Sequence, residues 1–149
     1  MTAVSEVMTR GVRSLAPTDN VLLAAQAMEE LNVGAIPVCE GDRLVGMVTD
    51  RDIVLRLVAQ ERNAGTTQLK DVMSTDVQWT REGESIDEVL QQMSRAQIRR
   101  LPVLGDDKRL VGILSLGDVA VKERGEALDV AASLSGISAP ARPDRSGQP

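Results

Sequence analysis

The chain has 149 residues, 42% of them apolar, and a formal net charge of −5, which suits one compact domain or two small halves sharing a core. No apolar run approaches the ~20 residues of a membrane span, and the opening MTAVSEVMTR lacks a signal-peptide pattern, so a cytoplasmic protein without a membrane partner is expected. Histidine is absent, Cys39 is the one cysteine and Trp79 the one aromatic, which argues against imidazole catalysis, a disulfide, a thiolate metal site and a base-stacking nucleic-acid surface.

In chain order, SEVMTRGV (5–12) predicts a short helical turn leading into a strand near residues 12–16. PTDN then offers N-cap side chains. In NVLLAAQAMEEL, Val21, Ala24, Ala25, Met28 and Leu31 recur at helical spacing and predict an amphipathic helix with one buried stripe. AIPVCE and LVGMVT follow as two short apolar runs split by the turn-like GDR, a β-hairpin pattern. A second helix is expected over residues 50–60, and the polar ERNAGTTQ (61–68) reads as a linker.

The order then repeats. A slide of 65 residues lays SEVMTRGV on KDVMSTDV (70–77), Met28 on Met93, and AIPV on RLPV (100–103). One extra residue enters near GDDKR, and RLVGMVTDRD (43–52) falls on RLVGILSLGD (109–118). The second copy predicts a strand near 77–80, a helix through Ile86, Val89, Leu90 and Met93 capped from EGES, a hairpin of RLPVLG and LVGILS, and a helix over 116–124. Each copy is a β-α-β-β-α unit of mixed α/β (α+β) class, at residues 4–60 and 69–125. A unit of ~55 residues buries too little alone. The two are expected to pack as a pseudo-twofold sandwich with a cleft between the copies. Residues 126–136 predict a further helix, and 137–149 have the composition of a disordered tail.

A hydroxyl-x-x-aspartate stands at each strand-to-helix junction: Thr49 and Asp52, then Ser115 and Asp118. It reads as a helix capping box, at a helix N-terminus whose free N–H groups suit an anion. Gly46 and Gly112, in the strands before these motifs, suit close backbone approach. Arg51, Arg99 and Arg100 read either as solvated surface charges or as phosphate-holding guanidinium groups. Gly117 stands opposite Arg51, so the halves are chemically unequal and one competent site beside one weak or empty site is expected. Cys39, in a predicted strand, reads as a small buried hydrophobe.

The doubled order of VM, amphipathic helix, IPV or LPV, and LVG followed by two apolar residues and T/S-x-x-D resembles the CBS domain in its tandem form, the Bateman module, over about 120 of the 149 residues. With no catalytic domain beside it, the chain is similar to the stand-alone CBS pairs, and an enzyme is not expected. The resemblance implies a regulatory module whose cleft binds AMP, ADP, ATP, NAD or S-adenosylmethionine and which signals by changing shape, with no required cofactor. It implies ribose and phosphate contacts from Thr49, Asp52, Ser115 and Asp118. It implies a base pocket lined by Val12, Ile36, Pro37, Val38, Val77, Leu101, Pro102 and Val103. Trp79, near the edge of that pocket, is expected to report on ligand by fluorescence. A homodimer and a regulated partner protein are also implied. The competing reading is a structural interaction protein with vacant clefts.

Overall fold

In a computed structural model, residues 2–122 are described; the expected helix at 126–136 and the tail at 137–149 lie outside them. The strands are β1 (Ala35–Glu40), β2 (Arg43–Thr49), β3 (Thr80–Arg81), β4 (Arg100–Leu104) and β5 (Leu110–Ser115). The helices are α1 (Val21–Leu31), α2 (Asp50–Ile53), α3 (Ile86–Ala96) and α4 (Leu116–Lys122). Single 3-10 turns at Val4–Glu6 and Leu69–Asp71 open the two copies. The class is mixed α and β, with β1 and β2 in one small sheet and β3-β4-β5 in another.

The described chain divides into two compact units, and the segments that open the two copies are exchanged between them. Unit I holds residues 2–10, 80–103 and 112–122; unit II holds 11–79 and 104–111. The turn that opens the first copy therefore packs with the second copy's α3 and α4, and the turn that opens the second copy packs with the first copy's α1 and hairpin.

Local sequence accounts for the helices. Asn20 Oδ1 accepts from the Leu23 amide at 2.9 Å, and Ser85 Oγ from the Glu88 amide at 3.3 Å, each satisfying a donor left over at a helix start. Both helices stop at a left-handed residue, Asn32 (φ 55) and Gln97 (φ 56). In α3 the stripe of Ile86, Val89, Leu90 and Met93 is fully buried, as the spacing predicts. In α1, Val21, Ala24, Ala27 and Met28 are buried, but Leu31 is 45% exposed because it lies in the last turn, where the chain leaves at Asn32.

In unit II, β1 divides its side chains between two clusters. Ile36 and Val38 face α1 with Val21, Ala24 and Met28. Cys39 joins Leu44, Met47 and Leu104 on the other side. The period of two explains the split. A bulge between Val38 and Cys39 leaves Val45 without a partner in the β1–β2 ladder.

Three expected elements differ. The strand near 77–80 is the two-residue β3 at Thr80–Arg81, with residues 77–79 outside any strand. The strand at 12–16 is a single parallel bridge, with the Leu15 amide donating to the Pro37 carbonyl at 3.0 Å and the Cys39 amide to the Leu15 carbonyl at 2.8 Å. Pro17 has no N–H to extend it. The helix at 50–60 is α2 followed by a π turn over Val54–Val58, closed by the Ala59 amide on the Val54 carbonyl at 2.9 Å. From this turn Arg56 Nη1 donates to the Met73 carbonyl at 2.9 Å and ties the 69–73 segment to unit II.

Candidate ligand-binding site

Each unit places its hydroxyl-x-x-aspartate where a strand runs directly into a helix. In unit II, Thr49 caps α2 in both directions. Its Oγ1 accepts from the Asp52 amide at 3.0 Å, and Asp52 Oδ2 accepts from the Thr49 amide at 3.0 Å. A third group completes the arrangement: Ser74 Oγ donates to Asp52 Oδ1 at 3.1 Å and lies 3.3 Å from Oδ2. Asp52 is 8% exposed, so both carboxylate oxygens are engaged in a nearly closed environment.

Unit I repeats the plan with a looser fit. The Asp118 amide donates to Ser115 Oγ at 3.1 Å, and Thr9 Oγ1 donates to Asp118 Oδ2 at 3.1 Å. Asp118 is half-buried and Thr9 is exposed. Asp118 Oδ1 has no hydrogen bond among the described residues, so this carboxylate keeps accepting capacity that Asp52 has used.

Thr9 and Ser74 were not singled out by the sequence reading. The signal was present, since VMT and VMS align at the 65-residue offset and both end in a hydroxyl. Their positions are fixed by paired backbone bonds. Thr9 and Ile113 exchange two, each at 2.9 Å, and Met47 and Ser74 exchange two at 2.9 and 2.8 Å.

Gly46 and Gly112 make this approach feasible. A Cβ on Gly46 would lie 2.8 Å from the Ser74 carbonyl oxygen, and one on Gly112 would lie 2.7 Å from that of Thr9. Any side chain there would push the hydroxyl-bearing segment off the strand.

Arg51, Arg99 and Arg100 are exposed, and none forms an ion pair among the described residues. Ile36, Pro37, Val38, Leu101, Pro102 and Val103 are all buried, with Val38, Leu101 and Val103 at 0% exposure, so they serve as core wherever else they contribute. Val12 is half-buried. Val77 is half-buried too and, with Trp79, lines a cavity of about 280 Å³ inside unit II. Burial pushes the Cys39 thiol above its ordinary pKa, the Ser14 hydrogen bond opposes this, and Asp42 adds to it, so the group stays a neutral thiol packed in the core. No described helix is long and apolar enough to cross a membrane.

Comparison with known proteins gives a consistent result. The CBS domain family model matches residues 4–59 and 69–123. The CBS domain-containing protein YhcV of Bacillus subtilis is 45% identical over 123 residues, spanning 83% of this chain and 86% of that protein. The crystal structure of Hypoxic Response Protein I with two coordinated zinc ions superposes with a TM-score of 0.74 at 35% identity, covering 81% of this chain and 98% of that one. A curated Hypoxic response protein 1 comes from Mycobacterium tuberculosis. The CBS domain pair of protein MJ0100, in complex with 5-methylthioadenosine and S-adenosyl-L-methionine, superposes with a TM-score of 0.72 at 25% identity, covering 85% and 98%.

Proposed function

Since the chain belongs to the CBS domain family and carries the domain twice, we propose that it is a regulatory module that binds an adenine nucleotide or another adenosyl ligand through its strand-to-helix motifs. The observation that carries this reading is Asp118, whose backbone amide is held by Ser115 Oγ and whose half-buried carboxylate is oriented by Thr9 with one oxygen still open to a donor. Two vicinal ribose hydroxyls are donors of the kind such a carboxylate accepts. The MJ0100 pair, which binds adenosyl compounds, is related support.

The halves are unequal. In unit II the Asp52 carboxylate is saturated by its own cap and by Ser74, so its contribution is to hold the 69–74 segment against β2. Unit I is the competent half. Arg99 and Arg100, exposed and without ion pairs among the described residues, are the cations available to a phosphate. Bound ligand acts by favouring one conformation over another, which requires different affinities for the two. The reading extends to a homodimer and a regulated partner; Leu22 and Leu31 of α1 and Val54, Leu55 and Val58 of the π turn are apolar and 44–62% exposed, which suits a helical interface.

Calorimetric titration of the purified chain with AMP, ADP, ATP, NAD and S-adenosylmethionine tests the proposal. Saturable binding of at least one is expected. Five flat titrations would leave the alternative, an interaction protein with vacant clefts, as the better account, and the saturated Asp52 is the observation that favours it.

A further inference from the structure

The two copies share one plan, so the places where they depart from it carry information. Trp79 has Ser14 as its counterpart, and Lys108 sits in the turn that contains the one-residue insertion of the second copy. These two departures, 29 positions apart, meet at the cavity of about 280 Å³ in unit II. Arg43, Thr75, Val77 and Leu104 line it with them.

From this convergence we propose that the cavity is a second ligand site, separate from the strand-to-helix motifs, which takes a small aromatic anion: one planar ring bearing a phosphate or carboxylate. None of Thr49, Asp52, Ser115 and Asp118 lines it. Its volume falls just under the ~300–1,000 Å³ common for small-molecule pockets, which suits a single-ring ligand. Trp79, 37% exposed, brings an indole to the lining, and Val77 and Leu104 supply apolar wall. Arg43 and Lys108 bring two cations, and Thr75 a hydroxyl. No carboxylate lines the cavity, although the chain is acidic overall. Asp42, Asp106 and Asp107 neighbour the cations in sequence but not in the lining. Neither cation forms an ion pair among the described residues.

The turn that carries Lys108 adds a second argument. Asp107 and Lys108 take φ of 56 and 60, where a side chain is disfavoured. The first copy turns at Gly41, whose φ of 63 costs a glycine nothing. The second copy therefore holds two strained residues in its longer turn, and the second of them lines the cavity with its cationic side chain. Strain retained at a binding position fits a functional constraint.

Because Trp79 is the only aromatic residue and lines the cavity, its fluorescence is a direct probe of ligand there. The full chain is titrated with phenyl phosphate, and with benzyl alcohol and inorganic phosphate as controls. Phenyl phosphate should give a saturable change, and each control should bind at least ~10-fold more weakly, since each lacks one half of the recognition. Lys108→Gly should weaken phenyl phosphate binding roughly 10- to 100-fold while leaving the melting temperature unchanged or raised, because the strain is relieved. Arg43→Ala should weaken it comparably. A flat titration of the parent, equal binding of benzyl alcohol, or undiminished binding in both folded variants would each overturn the proposal.

Discussion

Asp118→Ala is expected to weaken binding of the adenosyl ligand roughly 10- to 150-fold, the equivalent of ~1.5–3 kcal/mol for a lost charge-assisted acceptor. The same change in the other unit should behave differently. Asp52→Ala removes the acceptor of a reciprocal cap and orphans the Ser74 hydroxyl in a part-buried position. It should cost about 1–3 kcal/mol of stability and leave ligand affinity near that of the parent. Melting and calorimetry on the two variants separate these outcomes. Equal affinity losses would mean that both halves bind. Affinity preserved in both, with earlier melting, would mean that the motif is helix capping in each copy.

Gly46→Ala and Gly112→Ala should each destabilise the protein by about 1–3 kcal/mol, the range for an overpacked methyl. The added carbon would meet backbone oxygen at 2.8 and 2.7 Å, and a carbonyl fixed in paired hydrogen bonds cannot rotate away as a side chain can. The Met73 and Met8 sulfur atoms, at 3.1 and 3.0 Å, are the softer neighbours and will yield first. Gly112→Ala carries a second consequence. Displacing the Thr9 segment withdraws the hydroxyl that orients Asp118, so ligand affinity should fall along with stability. Gly46→Ala should lower the melting temperature alone. Thermal denaturation followed by titration of each variant checks both statements.

What the sequence revealed depended on how local each feature is. The Thr49–Asp52 cap spans four residues, and the α3 stripe follows from one helix period, so both were readable directly. Leu31 lies on the correct arc of α1 yet stays exposed, because burial in a last turn depends on what covers it and not on angle. The exchange of opening segments had no sequence signature. VMT and VMS are so alike that neither shows which hairpin it will pair with, and for the same reason Thr9 and Ser74 passed unremarked as partners of the aspartates. Trp79 and Lys108 were visible as breaks in the repeat, but their meeting in one cavity depends on the chain returning through the second hairpin. The base-pocket candidates show another limit. An IPV strand reads alike whether it lines a ligand pocket or fills a core, and Ile36 and Val38 are placed in the core.

The central claim is that the second copy's motif, completed by Thr9, forms the competent adenosyl site. Backbone amide chemical-shift mapping of the parent protein during titration with AMP and with S-adenosylmethionine tests it most directly. The account predicts saturable shifts for Thr9 and for residues 115–118, with much smaller changes at Asp52 and Ser74. Shifts of equal size at both motifs, or shifts that leave residues 115–118 unmoved, would contradict it.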